Sequence, residues 1–144
     1  MRREIDPHHL FGPLLPFLEG REGLFKIHGL KGSSPAFLLS RIFDRAQGPL
    51  VVLTADEEKA NRFHQELLFF LGPDQRVFLY PGWEVNPFER ISPQAEAMGQ
   101  RWEARYHLLS DPGRLILVAS LRAVLQRVPP RALHATAAFS LSPD

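Results

Sequence analysis

Short aliphatic runs alternate along this chain with segments whose apolar residues recur at helical spacing. Continuous runs such as Leu50–Leu53 and Leu115–Ala119 are typical of strands that are covered on both faces. Strands that alternate with helices of about a dozen residues indicate crossover units. The sequence therefore predicts an α/β fold, with a parallel sheet between two layers of helices. The predicted strands are Leu24–His28, Leu50–Leu53, Arg76–Tyr80 and Leu115–Ala119, and His134–Leu141 is a further candidate.

The loop from Gly29 to Ala36 resembles a phosphate-binding loop in its place, between a predicted strand and a predicted helix, but not in its residues. The Walker A pattern is Gly, four residues and then Gly-Lys-Ser/Thr. Aligned from Gly29, the last three positions are Ser34, Pro35 and Ala36, so the lysine and the magnesium-binding hydroxyl are missing. We predict a vestigial phosphate loop, although a simple Gly-x-x-Gly turn explains the pattern equally well. Its residues are Gly29, Lys31, Gly32, Ser33, Ser34, Pro35 and Ala36.

Three helix starts are predicted from capping residues. Ser34 is expected to be an N-cap, followed by Pro35 at the first helical position. Thr54 and Glu57 have the spacing of a capping box at the start of the next helix. Ser92-Pro93 repeats the first pattern, and Leu121–Val128 is predicted as a short last helix.

Catalytic and metal-binding patterns are not found in the sequence. No carboxylate follows the strand Leu115–Ala119, where a Walker-type ATPase needs an acid to organise magnesium. None of the six histidines has a His-x-x-x-His or His-Glu-x-x-His spacing, so no metal site is predicted. We therefore expect no catalytic residue, no metal and no cofactor in this chain.

The composition is that of an ordinary soluble domain. Seventeen basic and sixteen acidic residues give a net charge of +1, which provides no global attraction to nucleic acid. The absence of cysteine is compatible with a reducing compartment, and no apolar stretch reaches the roughly 18 residues needed to span a bilayer. We expect a cytoplasmic protein that does not bind membranes. A local basic face remains an alternative, formed by Arg90, Arg101, Arg105, Arg122, Arg127 and Arg131.

An aromatic and proline-rich loop follows the third predicted strand. Such a loop either packs against its own domain or presents a docking surface. Packing against the domain is the simpler interpretation. The residues concerned are Trp83, Glu84, Pro87, Phe88 and Glu89.

Several of these motifs, taken in order, resemble the amino-terminal part of the bacterial transcription-repair coupling factor, Mfd. The resemblance covers roughly residues 20 to 144, and its most specific part is the Trp-Glu…Pro-Phe-Glu…Ser-Pro stretch together with the Gln-Arg-Val-Pro-Pro ending. The motifs are Gly29–Ser34, Leu50–Thr54, Tyr80–Glu84, Pro87–Glu89, Ser92-Pro93, Gln100-Arg101 and Val118–Pro130.

The resemblance implies a fold like the first ATPase-like domain of the excision-repair protein UvrB, with the ATP site lost. It implies a non-catalytic scaffold that helps to recruit UvrA to stalled RNA polymerase, with UvrA bound mainly by the following domain. Other domains of the parent protein are implied partners. RNA polymerase, DNA, ATP and magnesium would be bound by regions absent here, including the motor of an ATP-dependent DNA translocase. The chain would then be either a piece of such a factor or a truncated relative.

The resemblance also suggests a division of the chain. Residues 1–19 are expected to form a helical lead-in, residues 20–128 the degenerate ATPase-like domain, and residues 129–144 the beginning of the UvrA-binding domain. Two other functions remain alternatives. One is a small nucleotide-dependent switch or enzyme with a non-standard phosphate loop, and the other is an accessory DNA-binding domain that uses the arginines.

Overall fold

A computed structural model describes residues 23–83, 95–110 and 113–132. Within these ranges the chain forms three strands and four helices in an alternating order. The elements are α1 (Ser34–Phe43), β1 (Leu50–Thr54), α2 (Glu57–Leu71), β2 (Val77–Tyr80), α3 (Ala95–Ser110), β3 (Ile116–Ser120) and α4 (Leu121–Leu125).

The three strands form a parallel sheet in the order β1-β3-β2. The central strand β3 pairs Val118 with Val52 of β1 and with Leu79 of β2. All five residues of β3 are buried, as expected for a central strand that is covered on both faces. The predicted α/β fold with a parallel sheet is confirmed.

Helices cover the sheet on two faces, and alternate residues of β3 enter two separate cores. Ile116 and Val118 pack with α1 and α2 on the first face, while Leu117 and Ala119 pack with α3 and α4 on the second. This division follows from the two-residue period of a strand. The layers are therefore helices, sheet and helices, as the sequence predicts.

Coverage of the second face is incomplete over β1. Leu50 and Val52 of β1 pack against the first core. Val51 and Leu53 point to the second face, beside Leu117 and Ala119 of β3, yet are 56% and 55% exposed. Within the described residues, the second helical layer therefore covers β2 and β3 but not β1.

The strand predicted over Leu24–His28 is wrong. These residues form an irregular segment in the structure and are not one of the strands of the described sheet. Leu24 is 84% exposed and Ile27 is 46% exposed, so the apolar run is not buried as a strand of a covered sheet would be. An apolar run predicts a strand only where a neighbouring strand is available to satisfy its backbone groups.

The first two predicted caps differ from the structure. Ser33 occupies the N-cap position of α1, and Ser34 is already helical. At α2 the N-cap is Asp56, whose side chain accepts a hydrogen bond from the Lys59 N–H at 2.8 Å. The capping box of Thr54 and Glu57 is therefore wrong. The reason is that Asp56 lies two residues closer to the helix than Thr54, so its carboxylate reaches the free N–H groups of the first turn more directly.

Some sequence-based expectations lie outside the described residues. They include the lead-in over residues 1–19, the Ser92-Pro93 helix start and the strand His134–Leu141. The docking candidates Glu84, Pro87, Phe88 and Glu89 lie outside as well. The domain boundaries at residues 19 and 128 remain predictions.

Candidate functional site

The glycine loop is closed by its own side chains. Ser34 Oγ accepts a hydrogen bond from the Lys31 N–H and donates one to the Lys31 carbonyl oxygen, both at 2.8 Å. Gly29 and Gly32 have φ values of 84° and 56°, which favour glycine because it lacks a Cβ. The loop thus uses a polar side chain and two left-handed glycines to complete a tight turn before α1.

A carboxylate lies beside this loop. The hydroxyl of Ser33 donates to Glu66 Oε1 of α2 at 3.2 Å. A carboxylate at this place opposes the approach of a phosphate by like-charge repulsion, and Pro35 contributes no N–H to the first turn of α1. The Lys31 N–H is already bonded to Ser34. The groups that would hold an anion are therefore fewer than in a working phosphate loop.

The loop also lies away from the carboxyl edge of the sheet. Glu57 is at that edge, where it contacts residues that follow β2 and end β3. Glu66, which contacts the loop, follows Glu57 by nine residues, which is about 14 Å along a helix. The expectation that the glycine loop lies beyond a strand end is therefore wrong, since the segment before it is not a strand.

The strand ends are joined by Glu57. Its Oε1 accepts hydrogen bonds from the Gly82 N–H, at 3.1 Å, and from the hydroxyl of Ser120. Ser120 Oγ in turn accepts from the Ala123 N–H at 3.0 Å and so caps α4. One carboxylate thus connects the start of α2, the loop after β2 and the end of β3.

A buried arginine occupies the same edge. Arg101 of α3 is 1% exposed, and its guanidinium lies 4.1 Å from the ring centroid of Tyr80 and 4.5 Å from that of Trp83. Nη1 donates to the Pro81 carbonyl at 2.6 Å and to Gln126 Oε1 at 3.2 Å. Desolvation lowers the pKa of Arg101, and the nearby Tyr80 and Glu57 oppose this effect. The guanidinium remains charged because its ordinary pKa is so high.

Gln126 fixes the backbone of Trp83. Its Oε1 accepts from the Trp83 N–H at 2.7 Å, and its Nε2 donates to the Trp83 carbonyl at 3.2 Å. The side-chain amide of Gln126 therefore satisfies both the backbone N–H and the backbone carbonyl of Trp83. The structure places Trp83 against Arg101, on the body of its own domain.

We call the group of Glu57, Gly82, Trp83, Arg101, Ser120 and Gln126 the carboxyl-edge network. Its contacts join α2, α3 and the ends of β2 and β3. Ser120 is fully buried, so its hydroxyl is not accessible as a nucleophile. Across the described ranges, no group of three or more His, Cys, Asp or Glu residues could hold a metal ion.

Two residues of the carboxyl-edge network have a different role in the structure from the one that the sequence suggests. Arg101 is one of the arginines of the alternative basic face, and Glu57 is predicted in a capping box, but both lie at the sheet edge. One signal was available in Gly82, where a Cβ would lie 2.5 Å from Glu57 Oε1. A glycine close to a strand end can mark such a close approach of another group to the backbone.

None of the helices within the described parts of the chain has the length and apolarity required to cross a membrane.

Comparison with known proteins gives a consistent set of relatives. No protein-family profile matches the chain. The chain is 35% identical to the transcription-repair-coupling factor of Myxococcus xanthus over 113 residues, which cover 75% of this chain and 9% of that protein. It is 32% identical to the Escherichia coli K12 protein of the same name over 121 residues, or 83% of this chain and 10% of the relative. The Mycobacterium bovis protein is 36% identical over 91 residues, or 59% of this chain and 7% of the relative.

These matches cover most of the chain but only a small part of each relative. The chain spans about a tenth of the length of the curated proteins it matches. The resemblance seen in the motifs is confirmed as similarity to these factors.

Proposed function

Since this chain is homologous to the transcription-repair-coupling factors, we propose that it is a non-catalytic scaffold domain of such a factor. In this role it helps to recruit the nucleotide-excision repair protein UvrA to stalled RNA polymerase. UvrA contacts mainly the domain that follows. DNA, RNA polymerase, ATP and magnesium are bound by other regions of the factor, which acts in the cytoplasm as a DNA translocase.

The proposal that the domain is non-catalytic rests on one observation, the hydrogen bonding of the glycine loop. Ser34 bonds both backbone groups of Lys31, and the Glu66 carboxylate accepts from Ser33. A phosphate would have to break the hydrogen bonds between Ser34 and Lys31. It would also be repelled by the negative charge of Glu66. Because the loop does not follow a strand of the sheet, it also lacks the rigid support that positions a phosphate loop.

The scaffold part is supported by the carboxyl-edge network. In parallel α/β sheets, ligands commonly bind beyond the carboxyl ends of the strands. Here that edge is occupied by the bonds of Glu57 and by the stacking of Arg101 between two aromatic rings. The edge is therefore built to hold α2, α3 and the loop after β2 in one arrangement. Such a rigid body suits a domain that positions its neighbours.

Calorimetric titration with magnesium-ATP tests the loss of the nucleotide site. The wild-type chain is compared with the triple variant Ser34→Gly, Pro35→Lys, Ala36→Thr, which restores the Walker residues. A matched control, Glu66→Gln, removes only the neighbouring charge. We expect no binding heat from the wild type or from Glu66→Gln. Micromolar binding by the wild type would overturn the proposal and favour a nucleotide-dependent switch.

Recruitment is tested in a longer polypeptide that includes this chain. Binding of UvrA is measured with and without residues 20–128, alongside a circular-dichroism check that the remaining domains fold. We expect the deletion to weaken recruitment. Normal recruitment by a folded deletion variant would show that the domain is not needed as a scaffold.

The accessory DNA-binding alternative has less support. Of the arginines in the alternative basic face, Arg101 is buried and is therefore not available to contact a phosphate, and Arg105 lies over the ring of Trp102 at 4.4 Å. Arg122, Arg127 and Arg131 are exposed. Steeply salt-dependent binding of duplex DNA by the isolated chain would restore this alternative.

A further inference from the structure

One edge of the buried Arg101 guanidinium has no hydrogen-bond partner among the described residues. The side chain is 1% exposed, and Nη1 donates to the Pro81 carbonyl and to Gln126 Oε1. Nε and Nη2 are buried as well, yet neither bonds to any group in the described ranges. Buried polar groups of folded proteins are almost always hydrogen-bonded, so two unbonded donors on one buried side chain indicate a missing acceptor.

The geometry of these two donors fits a particular acceptor. The Nε–H and one Nη2–H of a guanidinium point in nearly the same direction, and they match the two oxygens of a carboxylate. The rings of Tyr80 and Trp83 lie 4.1 Å and 4.5 Å from the guanidinium and cover its faces. An acceptor therefore approaches in the plane of the guanidinium, where a flat carboxylate can bond to both donors.

Positive charge is also in excess at this place. Arg105 follows Arg101 by four residues and thus lies on the same face of α3. Desolvation lowers the pKa of Arg101, and repulsion by Arg105 contributes to the decrease. Arg105 Nε is likewise buried without a hydrogen-bond partner in the described part of the chain. The ion pairs formed within the described ranges join other residues.

The carboxylate of Glu57 does not supply the missing acceptor. Glu57 attracts Arg101 electrostatically, but its Oε1 accepts from the Gly82 N–H and from the Ser120 hydroxyl. Among the hydrogen bonds of Glu57 to described residues, none is donated by Arg101. A water molecule would accept the unbonded N–H groups but would leave the buried positive charge without a counter-charge. A second carboxylate satisfies both requirements.

We propose that the Nε–Nη2 edge of Arg101 binds a carboxylate, which completes the carboxyl-edge network. The carboxylate comes from one of two sources. One source is a small dissolved acid, and the other is Glu84 or Glu89, the two acidic residues that lie in the sequence between Trp83 and α3. The chemistry of binding is the same in both cases, and two measurements separate them. The proposal depends neither on the glycine loop nor on the recruitment of UvrA.

Acetate tests the dissolved source. Urea unfolding of the chain is measured in sodium acetate and in sodium chloride of the same ionic strength, with tryptophan fluorescence as the signal, because both tryptophans lie against Arg101 or Arg105. A ligand that binds only the folded state raises the unfolding midpoint, so acetate should raise it if the carboxylate is dissolved. The effect should be lost in Arg101→Lys, which lacks two parallel donors, and retained in the exposed control Arg122→Lys. An equal acetate effect in both variants would rule out the dissolved source.

Double-mutant cycles test the side-chain source. Glu84→Gln and Glu89→Gln are each made in the wild type and in Arg101→Lys, and the equilibrium constants of unfolding are compared. If one glutamate pairs with the Nε–Nη2 edge, its substitution should raise that constant about tenfold or more in the wild type. The same substitution should have far less effect in Arg101→Lys. Glu103→Gln, at an exposed position of α3, is the matched control and should have equal effects in both backgrounds.

Nitrogen-15 NMR of the Arg101 Nε–H tests the proposal without a substitution at Arg101, and it therefore decides the question even if Arg101→Lys fails to fold. A shift of this resonance on addition of acetate identifies a dissolved acid as the source. A shift in Glu84→Gln or in Glu89→Gln, but not in Glu103→Gln, identifies the side chain concerned. The proposal is overturned if neither acetate nor either of the first two variants changes the resonance.

Discussion

The carboxylate of Glu57, at the start of α2, accepts the hydroxyl hydrogen of Ser120, which lies 63 residues later at the end of β3. The same oxygen accepts the N–H of Gly82, after β2. A half-buried carboxylate with two donors from separate elements acts as a connector between them. Three predictions concern this junction and the contacts of Arg101 beside it, and a fourth concerns His64 of α2.

Replacing Glu57 with glutamine should destabilise the domain. The variant loses the charge that strengthens two partly buried hydrogen bonds, and hydrogen bonds to charged groups contribute about 1.5–3 kcal/mol each. We expect a loss of about 2 kcal/mol in the free energy of unfolding by urea. The control is Glu58→Gln, on the exposed side of α2, with a change within about 0.5 kcal/mol. Equal effects of the two substitutions would contradict the connecting role.

Gly82→Ala should destabilise the domain through Glu57. The added Cβ would lie 2.5 Å from Glu57 Oε1, so the carboxylate must move and lengthen its bonds. We expect a loss of about 1–3 kcal/mol, and a smaller loss when the same substitution is made in Glu57→Ala. Gly99→Ala is the control with the opposite sign, because no atom lies within 4 Å of its Cβ and alanine favours the interior of α3. Additive effects of Gly82→Ala and Glu57→Ala would argue against a shared contact.

Arg101→Lys should be costly although it keeps the charge. The guanidinium is flat and stacks between Tyr80 and Trp83, whereas an ammonium cannot fill that space or reach both acceptors. We expect a loss of about 1–3 kcal/mol in unfolding experiments, together with weaker near-ultraviolet circular dichroism from the tryptophan region. Arg122→Lys, at an exposed position of α4, should change neither quantity. Wild-type stability of Arg101→Lys would show that charge alone is required.

Stability should decrease on acidification through His64. Burial lowers the pKa of His64 below its ordinary 6.5, while the bond to the Val77 carbonyl opposes this shift. Below about pH 6.5, the unfolded chain therefore binds more protons than the folded one at this site, so the free energy of unfolding falls until the folded pKa is reached. His64→Gln keeps a donor for Val77 but does not titrate. In urea unfolding at pH 7.5 and pH 5.5, the variant should lose less stability than the wild type, and an identical loss would exclude His64 as the cause.

The α/β class could be predicted from the sequence because its cause is local. The run from Leu115 to Ala119 is apolar throughout, and only a strand covered on both faces buries every residue of such a run. The apolar spacing in α2 likewise reflects one helix face turned to a sheet. These patterns consist of the spacing of apolar residues along a strand or a helix. That spacing can be read directly from the sequence.

The candidate site was less predictable because its contacts join distant residues. Glu57 has the spacing of a local cap, yet it bonds Ser120 and Gly82, since Asp56 already satisfies the helix start. Arg101 resembles a surface arginine in a helix, but two aromatic rings from another element enclose it. Neither assignment follows from neighbours in sequence.

The amino-acid sequence by itself determined the alternation of strands and helices, the apolar faces that form the two cores, and the absence of the Walker residues after Gly29. Only the tertiary structure decided which strand is central, that Leu24–His28 is not one of the described strands, and that Glu57 and Arg101 meet at the carboxyl edge. The physical reason is that periodicity and capping act over a few residues. Backbone pairing and the burial of a charge depend instead on which partners the fold brings within bonding distance.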